Sequence, residues 1–133
     1  TWRGQRLDCH CTALGKALIA YLPAETLARI TGAHGLPRHN ENTIVSRRRL
    51  RQELSLTRNR GYAIDDEETN LGTRCIAVPV FGGPSRVVAA VSLMGSIEEL
   101  PAERFPALAA GLQATARELA ASLAALAGGG PIS

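Results

Sequence analysis

The residues most capable of chemistry lie near the start of the chain, where Cys9, His10 and Cys11 are consecutive. Thiolate and imidazole are zinc ligands, but a structural zinc site needs four of them, usually in pairs spaced like C-x-x-C. No second pair follows at ligand spacing. In an extended segment, Cys9 and Cys11 would share one face and His10 would point to the other. We therefore expect no metal here and interpret both cysteines as small core side chains.

A second candidate is the acidic run from Asp65 to Glu68, which follows a predicted strand. Paired carboxylates can perform acid–base catalysis, but consecutive residues of a strand point to opposite faces. Only Asp65 with Glu67, or Asp66 with Glu68, could then act together. The pattern favours a solvated turn for most of the run, with one carboxylate buried in a site.

Cys75 leaves two other functions open, one catalytic and one metal-dependent. A small enzyme could use Cys75 as nucleophile with His10 and either Asp65 or Asp66, an arrangement that is recognised by geometry rather than by spacing. A metal-sensing domain could use Cys75 or the three residues at 9–11. Because Cys75 begins an apolar run and the chain has no glycine-rich phosphate loop, we expect a buried thiol and no catalysis.

The start of the first predicted helix offers another kind of site. Thr12 fits the N-cap position of a helix over residues 12–22. The backbone amides of Ala13 and Leu14 then lack intrahelical acceptors and lie at the positive end of the helix dipole. Because the side chains there are small or apolar, a carboxylate could approach these amides closely.

The elements that position these residues change in type at Gly61. Helical patterns come first, over residues 12–22, 23–32 and 46–61. Apolar strand patterns follow, over residues 62–66, 74–81 and 86–95. The turn sequence GGPS joins the last two and predicts an antiparallel hairpin. With a final helix from Pro101 to about Leu126, the chain is predicted to be an α+β domain.

Composition is that of a single globular domain. The 133 residues are 45% hydrophobic and 20% charged, enough to enclose one core. No apolar run approaches the roughly 20 residues that cross a bilayer, and three cysteines do not suggest a disulfide framework, so we expect a cytoplasmic location.

The chain begins with Thr1, so we expect a piece of a longer polypeptide. Arginines at 47–60 spread around the third helix, which argues against a DNA-binding stripe.

Three motifs together resemble the effector-binding domain of the IclR family of bacterial transcription regulators. The first, H-x-[ST]-x-x-G-K-A, matches residues 10–17. The second runs from Arg58 to Phe81 and contains GYxxDxEE and CIAxPVF, and the third, S-[ILV]-x-G, matches residues 92–95. The resemblance extends from about Leu7 to the last helix.

The resemblance implies a GAF-like domain over residues 1–127, with helices on both sides of an antiparallel sheet, and a flexible tail over residues 128–133. It also implies a homodimer or homotetramer, no cofactor, and operator DNA as a partner through an N-terminal winged helix-turn-helix. That domain and the first strands of the sheet are expected to lie outside this chain or in its first residues.

The family pocket implies ligand-binding residues here but no catalytic or metal-binding ones. The matching positions are Ala13, Leu14, Asp65, Thr73, Cys75, Ser92 and Met94. The amides of the first two would hold a carboxylate, with the Ser92 hydroxyl as a further donor. Leu14 and Met94 favour an apolar or aromatic acid. The expected function is ligand sensing that modulates DNA binding.

Overall fold

A computed structural model of the chain describes residues 8–128. The helices before the sheet are α1 (Ala13–Ile19), α2 (Ala24–His34) and α3 (Arg47–Arg60). The strands are β1 (Ala63–Asp66), β2 (Thr73–Gly83) and β3 (Arg86–Ser96), and a short 3-10 turn, Ala102–Arg104, leads into α4 (Phe105–Gly128). The predicted α+β order is confirmed. No helix among the described residues combines the length and apolarity that crossing a bilayer requires.

The caps at Thr12, Ser46 and Gly61 confirm three predicted helix ends, but the predicted end of the first helix at residue 22 is wrong, because α1 ends at Ile19. The Thr12 hydroxyl caps α1 by accepting from the Gly15 amide at 3.1 Å. Ser46 caps α3, and that helix ends at Gly61, whose φ of 86° is the left-handed conformation that glycine adopts without cost.

The predicted end of α2 at Gly32 is wrong. The helix continues to His34 and ends at Gly35, where φ is 68°. A glycine inside a helix costs only about 1 kcal/mol, so Gly32 does not stop the helix. Gly35 ends it because the backbone there turns into the left-handed region.

The described sheet has the order β1–β2–β3 and is antiparallel, which confirms the predicted hairpin. Cys75 on β2 lies opposite Asp65 on β1 and Met94 on β3, and Ala77 lies opposite Ser92. Residues that are paired across strands project to the same face. The register therefore places all of these side chains on one side of the sheet.

Helices pack on both faces of the sheet, as the GAF-like arrangement implies. Ala13 and Ala17 of α1 lie against Cys75 and Ala77, and the small side chains allow a close approach. The alternate residues of β2, beginning with Ile76, face α4. The predicted ligand face is thus the face that α1 covers.

Gly15 allows the segment before α1 to fold back onto the helix. A Cβ at Gly15 would lie 2.4 Å from the Cα of Cys9, a backbone atom that cannot move aside. Residues 9–12 therefore form a turn rather than an extended segment. The interpretation of the cysteines as core side chains is confirmed, because Cys11 is fully buried and Cys9 packs beside Ile19.

Candidate functional site

The structure brings the predicted ligand residues to one face of the sheet. Ala13 and Leu14 begin the helix that covers this face, and the strand residues are Asp65, Thr73, Cys75, Ser92 and Met94. Ala13 shares a buried cluster with Cys75, and Leu14 packs against that cluster. Their role in binding a ligand stays a prediction.

This face is closed beneath α1 and accessible from the side of β3. Ala13 is 1% exposed and Cys75 is 6% exposed, whereas Met94 is 59% exposed. Ser92 is half-buried between them. A ligand approaching from the β3 side would meet the Met94 thioether first and the floor at Cys75 last.

The geometry does not support Cys75 as a nucleophile. Burial raises the pKa of Cys75 to about 11, with a further increase from the charge of Asp65 and an opposing effect from the Ser92 hydroxyl. The thiol is therefore protonated near neutral pH, whereas the thiolate is the nucleophile. The proposed base, His10, places its Nε2 2.8 Å from the carbonyl oxygen of Pro37 instead.

The acidic run buries two carboxylates rather than the one expected, so the expectation of a solvated turn is wrong for its last member, Glu68. Asp65 and Glu68 are only 6% and 7% exposed. Strand β1 ends at Asp66, and Glu67 then adopts a left-handed φ of 58°, so the chain turns and directs Glu68 inward. The buried pair is thus Asp65 with Glu68, and strand alternation does not apply beyond Asp66.

The Asp65 carboxylate closes this turn. It accepts from the Glu68 amide at 2.8 Å and from the Thr69 hydroxyl at 2.9 Å. Burial raises the pKa of Asp65, although these hydrogen bonds and the charge of Lys16 oppose the shift. A carboxylate offers about four lone-pair positions, so Asp65 keeps capacity to accept from a ligand hydroxyl.

Lys16 is the residue at this site that sequence reasoning missed. It is fully buried, and its Nζ donates to Glu68 Oε1 at 2.6 Å and to the Ile64 carbonyl at 2.8 Å. This ion pair fastens α1 to the acidic turn. The available signal was that the only lysine of the chain lies between Ala13 and Ala17 on the buried stripe of the helix.

One group of side chains among the described residues could hold a metal ion. It consists of Asp8, Cys11 and His39. Of the three consecutive residues first considered, only Cys11 belongs to it. All three cysteines of the chain are free thiols.

Comparison with known proteins identifies similar regulators. The family model described as bacterial transcriptional regulator IclR C-terminal matches residues 1–121. The HTH-type transcriptional regulator XynR of Escherichia coli (strain K12) is 44% identical over 90 residues, which are 68% of this chain and 36% of XynR. The chain spans less than half of the length of the curated relatives it matches.

Solved structures share the fold. The C-terminal domain of the E. coli transcriptional regulator KdgR is 35% identical, with a TM-score of 0.83 over 89% of this chain and 72% of that one. The inducer-binding domain of the PobR transcription factor from Acinetobacter, a double mutant in complex with 3-hydroxybenzoic acid, is 30% identical. Its TM-score is 0.80 over 88% of this chain and 67% of that one.

Proposed function

Because the chain belongs to the IclR family of bacterial transcriptional regulators, as its C-terminal, effector-binding domain, we propose that it senses a small carboxylic acid of an apolar or aromatic kind. The relatives it matches are transcriptional regulators and repressors, not enzymes. Neither the Cys75-dependent enzyme nor metal sensing gains support from these relatives.

The observation that carries the proposal is the convergence of suitable side chains between α1 and the sheet. The amides of Ala13 and Leu14 and the hydroxyl of Ser92 are donors for a carboxylate. Leu14 and Met94 supply apolar contacts for the rest of the acid. The double mutant of the related PobR inducer-binding domain forms a complex with 3-hydroxybenzoic acid, an aromatic acid of this kind.

Regulation would follow from a change in subunit packing. Acid that binds one arrangement of subunits more tightly shifts the population toward it. In a homodimer or homotetramer, this shift would change the distance between helix-turn-helix domains and so their fit to operator DNA. Those domains would lie outside this chain, and the protein would act in the cytoplasm. The exposed leucines of α4, Leu119, Leu123 and Leu126, are the candidate assembly surface.

A thermal-shift series with matched acids and amides tests the proposal. We expect 3-hydroxybenzoate or a pyruvate-like acid to raise the melting temperature, because a ligand at 100 times its Kd adds about 2.7 kcal/mol of stability. The corresponding amide lacks the charge that the donors recognise. Failure of every acid, or an equal shift with the amide, would refute carboxylate sensing.

A further inference from the structure

The side chains of Asp8, Cys11 and His39 form a cluster that the proposed function does not use. One carboxylate oxygen, one sulfur and one imidazole nitrogen all lie within 4.8 Å of one another. Asp8 and Cys11 belong to the turn before α1, whereas His39 comes from the loop after α2. The cluster therefore joins two segments that are distant in sequence.

We propose that this cluster binds a divalent transition-metal ion, with Asp8, Cys11 and His39 as ligands and water in the fourth position. Zinc is the best match, because it accepts carboxylate oxygen, thiolate sulfur and imidazole nitrogen in one tetrahedral set. The ion would clamp the turn before α1 to the loop after α2. This inference goes beyond effector binding and does not depend on it.

The geometry requires only a small adjustment to admit the ion. Asp8 Oδ2 lies 2.6 Å from His39 Nε2, in direct contact. Around zinc, an oxygen and a nitrogen at roughly 2.0–2.2 Å in tetrahedral positions lie about 3.4 Å apart. The two side chains are 41% and 37% exposed, so they are free to separate by that margin. The buried Cys11 supplies the fixed third ligand.

The His39 loop is already held in place by contacts that need no metal. The His39 amide donates to the Thr43 hydroxyl oxygen at 3.1 Å, and that hydroxyl donates to the Glu68 carbonyl at 2.7 Å. The His39 ring also stacks on His10, with 6.2 Å between centroids. Preorganised ligands are a condition for tight metal binding.

The surrounding charge favours a cation. Carboxylates of Asp8, Asp65 and Glu68 all act electrostatically on Cys11, and the one buried lysine, Lys16, forms its ion pair with Glu68. A divalent ion would offset this negative charge and stabilise the thiolate. On binding, the sulfur–metal bond replaces the S–H bond and the thiol proton leaves to solvent. The Nε2–H contact of His39 with Asp8 is broken, and the neutral imidazole carries its hydrogen on Nδ1 so that the Nε2 lone pair binds the metal.

Cobalt titration of the full chain, followed by absorbance, tests the site. We expect one equivalent of Co²⁺ to bind with tetrahedral d–d bands and a thiolate-to-cobalt charge-transfer band. Asp8→Asn and His39→Gln are expected to weaken binding more than roughly tenfold, since even supporting residues of metal sites contribute that much. Cys9→Ser and His34→Gln, which lie outside the cluster, serve as matched controls and leave binding unchanged.

Three results would overturn the site: no stoichiometric binding, binding without the charge-transfer band, or equal affinity in His39→Gln. His39 is the key position because its exposed side chain can be replaced without loss of the fold, which circular dichroism verifies. Acid binding is measured separately with EDTA present. Failure of the metal site and failure of the proposed function are then distinguishable.

Discussion

Lys16 and Glu68 form a buried ion pair in which neither charge is tolerated alone. Lys16→Met leaves the Glu68 carboxylate without its partner, and breaking a buried pair costs about 3–5 kcal/mol. We expect the free energy of unfolding in urea to fall by that amount. Asp66→Asn, at a carboxylate whose side chain is 48% exposed, is the control and costs less than about 1 kcal/mol. Similar losses in both variants would contradict the structural role of Lys16.

Because Cys75 is buried as a thiol, we expect the folded chain to lose stability at alkaline pH. Its ordinary pKa of 9.0 is raised to about 11 in the folded chain, mainly by burial. Between these values the folded state holds the proton and the unfolded state has released it, so stability is complete below about pH 9 and falls as the pH rises through about 11. Urea unfolding at pH 8 and pH 10.5 measures this loss. It should be smaller in Cys75→Ala, and equal losses would show that Cys75 does not titrate in this way.

At the scale of elements, Gly15 decides how closely the turn approaches α1. Gly15→Ala sets a Cβ against the Cys9 backbone, and such overpacking typically costs about 1–3 kcal/mol. Gly111→Ala is the matched control, because Gly111 lies inside α4 with open space around it. That substitution should add about 0.5–1 kcal/mol. Urea unfolding of both variants should show opposite signs, and a neutral Gly15→Ala would contradict the packing described.

The elements that were predicted correctly are marked by cap or turn residues close to their ends in the sequence. Thr12, Ser46 and Gly61 mark helix ends through contacts within a few residues, and the GGPS turn marks the hairpin. The burial of Glu68 could not be predicted, because it depends on Lys16, 52 residues away. The alternation of side chains along each strand places the predicted ligand residues of the sheet on one face. Alternation alone could not show that the Asp65 carboxylate already accepts a hydrogen bond from the turn that follows β1.

At the scale of the whole molecule, exposed leucines on α4 predict assembly. Leu123 and Leu126 are 45% and 75% exposed on that helix. If they lie in a subunit interface, Leu123→Glu with Leu126→Glu reduces the mass in solution toward that of one chain, measured by light scattering after size exclusion. Leu56→Glu, at a 53% exposed leucine on α3, is the control and leaves the mass unchanged. An assembly that survives the α4 charges would place the interface elsewhere.

Met94 provides the most direct test of acid binding, because it is the only methionine of the chain. Protein labelled with ¹³C-methyl methionine is titrated with 3-hydroxybenzoate, and Met94→Leu identifies the Met94 signal. If the acid binds beside Met94, that signal shifts and the shift saturates. Ser92→Ala should weaken binding about tenfold or more through loss of a charge-assisted hydrogen bond, whereas Thr115→Ala on α4 should not. Thermal stabilisation by the acid with an unmoved Met94 signal would place the binding site elsewhere and contradict the account.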